Sequence, residues 1–231
     1  MTLSEALLIE KGITAIVGGG GKTTLLLRLA KELSSLGSVV VCTTAHIFPP
    51  EGMELLTGAG EDAAKEAIQK HRVICWGERE AETGKLVAPM LPMEKLKKLS
   101  DYVLVEADGS KRLPLKAHAA HEPPIPKEAK RILYVVGADG IGKKISEAAH
   151  RPELYAKGIG KTAEDTVTPE DAALAANAIK NAVAVFNKVE SERSLNDAHR
   201  FCKAYDGRVA VCSLQSEKPL IELWENKSRL W

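Results

Sequence analysis

Residues Ile13 to Leu29 read ITAIVGGGGKTTLLLRL, and the fold turns on how this stretch divides. Ile13, Thr14, Ala15, Ile16 and Val17 make a short apolar and β-branched run, the mark of a strand buried on both faces. Four glycines follow, Gly18, Gly19, Gly20 and Gly21, then Lys22, Thr23, Thr24 and an apolar run at helical spacing. Strand, glycine loop, Lys-Thr and helix are the parts of a phosphate-binding loop. Glycines let the backbone fold back so that successive N–H groups face a phosphate, which the helix N-terminus and Lys22 also attract. The Thr23 hydroxyl suits a Mg²⁺ ion bridging the phosphates. Residues Gly18 to Thr24 are therefore the expected nucleotide-binding segment. The strict pattern G-x-x-x-x-G-K-[ST] needs a glycine at position 16, where the chain has Ile16. Either the loop is short, or Gly18 takes the first glycine's place in a shifted register.

The bulk properties narrow the setting. The 231 residues suit one α/β domain, and 45% hydrophobic with 27% charged residues is ordinary for a soluble globular chain. A net charge of +1 gives no electrostatic case for nucleic acid or for an anionic membrane. No apolar run approaches the ~20 residues that a membrane span requires. Met1 to Lys11 reads as an amphipathic start, not a signal peptide. Cys42, Cys75, Cys202 and Cys212 are scattered without C-x-x-C pairing. Buried free thiols in a reducing cytoplasm are the expectation.

The order of elements sets the fold class. Ser4 can cap a short helix SEALLIEK, and a helix from Thr23 to Leu36 ends at Gly37. SVVVC (38–42) is a second strand leading into TTAHIFPP, whose threonines can reach a ligand or simply cap the turn, while His46 reads as a loop histidine. A helix at Glu61 to Lys70, a strand HRVICWG and a β-hairpin turned at Thr83-Gly84 follow, so a small hairpin insertion is expected at about 72–90. Strands and helices then alternate to the end. That alternation predicts an α/β fold of the P-loop NTPase type over residues 1–231: three layers, α/β/α, around a mostly parallel sheet.

Two further stretches carry chemistry. DYVLVEADGS (101–110) is an apolar strand ending in Glu106 and Asp108, placed where a phosphate-loop neighbour holds Mg²⁺; with Thr23 they are the expected metal site. Lys22, Glu106 and Asp108 are the expected catalytic groups, and Gly109 can offer an amide to a terminal phosphate. AVAVFNKVE (182–190) ends in Asn187, Lys188 and Glu190, similar to the N-K-x-D guanine-reading motif, with Glu190 one methylene longer than aspartate. Ser213 is placed to complete a base pocket. The basic loop 109–126 carries Lys111, Arg112, Lys116, His118 and His121, a candidate substrate or partner loop. The spacing of His118, His121 and Glu122 is also compatible with a metal. VGADGIGKKI (136–145) and AHRPE (149–153) have no generic explanation.

VGGGGKTT, TTAHIFPP, VLVEADGSKRLPLKAHAAHEPPIP, VGADGIGKKI with AHRPE, TPED and NKVE together resemble the selenium cofactor biosynthesis accessory proteins, the YqeC family. The resemblance spans nearly the whole chain and implies an association with selenium-dependent molybdenum hydroxylases. A wider likeness is to the metallochaperone-type GTPases, whose third motif E-x-x-G is here Glu106 to Gly109. It implies hydrolysis of ATP or GTP with Mg²⁺, coupled to maturation of a partner enzyme, a molybdenum hydroxylase or another maturation protein. The alternatives are a small-molecule kinase or ligase with loop 109–126 as acceptor pocket, and a nucleotide-binding scaffold without turnover.

Overall fold

A computed structural model describes residues 1–119 and 122–231. Helix α1 (Leu3–Ala6) precedes strand β1 (Gly12–Gly18), and α2 (Lys22–Leu33) follows it; then come β2 (Val39–Thr43), β3 (Glu54–Leu56), α3 (Glu61–His71) and β4 (Val73–Trp76). The middle of the chain holds β5 (Glu78–Arg79), β6 (Leu86–Val87), α4 (Met93–Leu99), β7 (Tyr102–Glu106), β8 (Leu115–Lys116) and β9 (Ala129–Gly137). The remainder is α5 (Ile145–Ala148), β10 (Ala149–His150), α6 (Pro152–Gly158), α7 (Pro169–Asn177), β11 (Ala182–Asn187), α8 (Glu192–Ala204), β12 (Arg208–Cys212), β13 (Leu220–Glu225) and β14 (Ser228–Arg229).

Ten of these strands form one sheet in the order β14-β13-β12-β11-β9-β1-β7-β2-β4-β3. Within this sheet, among the described residues, only the β12–β13 and β13–β14 pairings are antiparallel. Side chains alternate across each strand, so successive residues feed different layers. Ile13, Ala15 and Val17 pack on the side of α3, α4, α6, α7 and α8, whereas Ile16 packs with α1 and α2. The result is the expected three-layer α/β/α arrangement, with β1 buried at every position. No helix among the described residues is long and apolar enough to cross a membrane, and all four cysteines are buried and free.

Several boundaries differ from the expectation for local reasons. Thr2, not Ser4, caps α1, in a capping box with Glu5, while the Ser4 hydroxyl donates to Glu32 on α2. The strand of HRVICWG joins the main sheet, so the hairpin is confined to β5 and β6. Loop 109–126 is not free of secondary structure: β8 pairs in parallel with β10 in a separate two-stranded sheet. Two antiparallel strands, β13 and β14, close the sheet where the sequence suggested only alternation.

Candidate functional site

The carboxyl ends of β1, β7, β9 and β11 lie side by side at the centre of the sheet, and in open α/β sheets ligands bind beyond such ends. Ile16 is fully buried inside β1, which continues to Gly18, and α2 starts at Lys22. The glycine loop is therefore short, the first of the two alternatives. Its packing explains the glycines. A Cβ on Gly18 would lie 2.3 Å from the Val135 carbonyl, and one on Gly20, at φ +78°, 2.4 Å from the Gly137 backbone.

The amides of the loop are not all available to a ligand. Gly18 N–H donates to Asp108 Oδ2 (2.8 Å), Gly19 N–H to the Val135 carbonyl (2.9 Å) and Gly20 N–H to the Leu113 carbonyl (3.1 Å). The cradle expected from Gly18 to Gly21 thus shifts toward the helix. Among the described residues, the N–H groups of Gly21, Lys22, Thr23 and Thr24 meet no protein acceptor, and no side chain caps the helix.

Lys22 is buried, at 4% exposure, rather than lying free on the surface. Its Nζ donates to the Gly18 carbonyl (2.7 Å) and lies 3.1 Å from Asp108 Oδ1 and 3.9 Å from Glu106 Oε1. Thr23 Oγ1 donates to Glu106 Oε2 at 3.0 Å, bringing two hard oxygen ligands together as Mg²⁺ binding requires. The two acids are held differently. Burial pushes the Glu106 carboxyl up, and Lys22 and the Thr23 bond only partly offset it. Burial also opposes charge on Asp108, but the His118 bond, Lys22, Lys116 and the Gly18 amide together hold it below the usual carboxylate range. Glu106 is thus a buried carboxylate short of positive charge, the condition a divalent cation relieves.

Asp108 is the hub of the region. His118 Nε2 lies 2.6 Å from its Oδ2, and Lys116 Nζ lies 3.5 Å from the same oxygen while donating to the Gly109 carbonyl (2.6 Å). Lys116 is almost fully buried, and burial pushes its ammonium toward the neutral form against the attraction of Asp108. Gly109 is exposed, and Lys111 and Arg112 are exposed with left-handed backbones. His121 lies outside the described residues. Glu122 accepts from Arg151 (2.7 Å), and His118 is turned to Asp108. No group of three or more His, Cys, Asp and Glu side chains that could hold a metal occurs among the described residues.

The strand-end residues of β2 and β11 serve the scaffold. The Thr43 hydroxyl donates to the Glu106 carbonyl (2.7 Å) and accepts from Ala45 N–H, and Thr44 donates to the Pro124 carbonyl. These are turn contacts. His46 sits on the surface, 3.5 Å from Glu80. Asn187 is buried: its Nδ2 donates to the Gly20 carbonyl (2.8 Å) and its Oδ1 accepts from Leu214 N–H (3.0 Å). Both ends of the amide are committed, so Asn187 positions the glycine loop instead of facing a base. Lys188 pairs with Asp139 (2.7 Å), and Ser213 N–H donates to the Pro219 carbonyl. The Glu190 side chain is exposed, just before the Ser191–Ser194 cap of α8.

The YqeC protein family matches residues 14–153, from within β1 to the start of α6. The chain belongs to the YqeC family. The Escherichia coli (strain K12) protein described as "Uncharacterized protein YqeC" is 34% identical to it over 182 residues, 72% of this chain and 70% of its own. In this YqeC-family chain the matched stretch holds the glycine loop, Glu106, Asp108, Lys116 and His118, while Asn187 to Glu190 lie beyond it. It also holds His150 and Arg151 of the unexplained AHRPE stretch; the pairing of β8 with β10 sets His150 opposite Lys116.

Proposed function

We propose that this chain binds a Mg²⁺-nucleotide, ATP or GTP, and hydrolyses it as an accessory protein in maturation of a selenium-dependent molybdenum hydroxylase. The observation that carries the nucleotide part is the unsatisfied N-terminus of α2, with Lys22 and the Thr23–Glu106 pair beside it. Phosphate oxygens take the amides of Gly21, Lys22, Thr23 and Thr24, where the helix dipole favours negative charge. Lys22 exchanges the Gly18 carbonyl for a phosphate oxygen, a move available to a long side chain. Thr23 and Glu106 would hold Mg²⁺, which supplies neutralisation of the charge shared by the terminal phosphates. Asp108 Oδ1 is buried and has only the Lys22 ammonium beside it, at 3.1 Å, so once Lys22 turns to a phosphate this oxygen would orient an attacking water. The assignment to hydroxylase maturation rests on the family resemblance.

The test is a thermal shift with Mg²⁺ and a non-hydrolysable nucleotide analogue, on wild type, Lys22→Ala and Thr23→Ala. Binding to the native state alone stabilises by about 2.7 kcal/mol at a hundredfold excess over Kd. Wild type is expected to show this shift, with Lys22→Ala losing it and Thr23→Ala losing its Mg²⁺ dependence. An undiminished shift in Lys22→Ala removes the phosphate-loop reading.

A further inference from the structure

Beside Asp108, around the β8–β10 pair, lies a polar cluster that hydrolysis does not use. Among the described residues, strands β8 and β10 form a two-stranded sheet of their own, which sets Lys116 opposite His150. Register partners in a parallel pair project to the same side. Arg151 follows in a left-handed conformation (φ 65°, ψ 63°), and Lys111 is left-handed too (φ 50°). Non-glycine residues held this way cost roughly 1–2 kcal/mol each, a strain that concentrates at ligand sites.

Two buried polar atoms here find no partner among the described residues: Glu122 Oε2 and His150 Nδ1. Arg151 uses one donor, to Glu122 Oε1 at 2.7 Å, and the rest of its guanidinium fork meets no acceptor among the described residues. Asp108 is already paired with Lys22 and Lys116, which leaves Arg151 and Lys111 against Glu122, and His150 feels Lys116, Arg151 and Lys111 more than the opposing Glu122. Unmet buried hydrogen-bonding capacity combined with excess positive charge calls for an anion. Glu122 adds a condition, because a carboxylate only accepts hydrogen bonds. The ligand must therefore bring an O–H or N–H of its own.

We propose that Arg151, His150, Lys111 and Glu122 form a binding site for a protonated oxyanion of the hydrogen-phosphate type, separated from the nucleotide site by the Asp108–Lys116 pair. The anionic oxygens face Arg151 and Lys111, and the P–OH donates to Glu122 Oε2. The nucleotide reading enters only in treating Asp108 as a wall shared by two sites; binding of the oxyanion does not require a nucleotide.

Calorimetry separates the two readings. The non-hydrolysable Mg²⁺-nucleotide analogue is first titrated into the protein, and the protein carrying it is then titrated with inorganic phosphate, with methyl phosphate and with sulfate at pH about 6, where both phosphates retain a P–OH in large part. Phosphate or its ester is expected to bind at least about tenfold more tightly than sulfate, which has no donor for Glu122. The tighter of the two phosphates tells whether the group is taken free or as an ester. Glu122→Gln, nearly isosteric, is expected to erase the preference over sulfate, and His150→Phe, which keeps a ring and removes both nitrogens, to weaken all three anions. Thermal melts of both variants confirm that they fold. If the analogue fails to bind but phosphate still shows the Glu122-dependent preference, the nucleotide reading falls and this one stands. Absence of phosphate binding, or binding indifferent to both substitutions, overturns the proposal.

Discussion

Asp108→Asn is the most informative single substitution, because it changes one charge and almost no volume. In the native protein the carboxylate faces Lys22 Nζ at 3.1 Å and Lys116 Nζ at 3.5 Å, both buried, and takes bonds from His118 and the Gly18 amide. An asparagine retains one acceptor oxygen and turns an NH₂ toward groups that are themselves donors. Removing one partner of a buried ion pair costs about 3–5 kcal/mol, since the charge left behind stays desolvated. Lys116 keeps the Gly109 carbonyl and Lys22 the Gly18 carbonyl, which places the cost toward the lower end, about 3 kcal/mol. For a chain of this length that corresponds to a fall in Tm of roughly 6–12 °C. Urea unfolding and calorimetric melts measure it directly. The pH dependence adds a second check. The folded carboxyl of Asp108 titrates below its ordinary value, so its contribution is present above the ordinary carboxylate range and is lost as pH falls through the folded value. Wild type should therefore lose stability on acidification more steeply than Asp108→Asn does. A variant melting within about 2 °C of wild type, with a parallel acid limb, would refute the view of Asp108 as an anionic hub.

Glu106 carries the opposite sign: its folded carboxyl is raised, so its stabilising contribution belongs to low pH and is lost as pH rises through the folded value. Glu106→Gln should thus melt at or above wild type at neutral pH in the absence of metal while losing Mg²⁺-dependent turnover; a lower melting temperature with turnover intact contradicts this. Gly20→Ala should destabilise by about 1–3 kcal/mol or more, because its Cβ meets the Gly137 backbone at 2.4 Å and φ is +78°; denaturant melts read it out, and a neutral result means the loop adapts. At position 190, Glu190→Asp should raise and Glu190→Ala abolish any GTP preference over ATP, as side-by-side titrations would report. Indifference of both nucleotides to residue 190 takes that exposed side chain out of base selection.

Most of the scaffold was readable because its signals are local. ITAIV, SVVVC, YVLVE, AVAVF and RVAVC are short β-branched runs between helices, and each became a parallel strand of the central sheet. Glu106 and Asp108 were found for the same reason: a strand's end is visible in sequence, and so is the residue type placed there. The partners of individual donors were not. GGGG announces a turn, but that Gly18, Gly19 and Gly20 give their amides to Asp108, Val135 and Leu113 depends on chain packed from three distant stretches. Lys22 is legible as a phosphate-facing lysine, but nothing in KTT reports that it is buried against Asp108 and the Gly18 carbonyl. Asn187 looked like a base reader; its partner at Leu214 belongs to the next strand's end, which only the sheet brings near. The His150–Lys116 pairing joins residues separated by all of β9, with two-residue strands too short to leave a periodic trace.

The two borders of the ten-stranded sheet are short, three residues in β3 and two in β14, the latter ending in Arg229. A finished molecule therefore offers little ladder for another chain to extend. The same valine-rich strands that fill the interior are, before their neighbours dock, sticky segments of low charge. Parallel pairing through long crossovers is slow to form, so those segments stay open during folding. Losses to aggregation should track the folding intermediate and not the native protein. Lower expression temperature should raise soluble yield, whereas surface charges added to β3 or β14 should leave it unchanged.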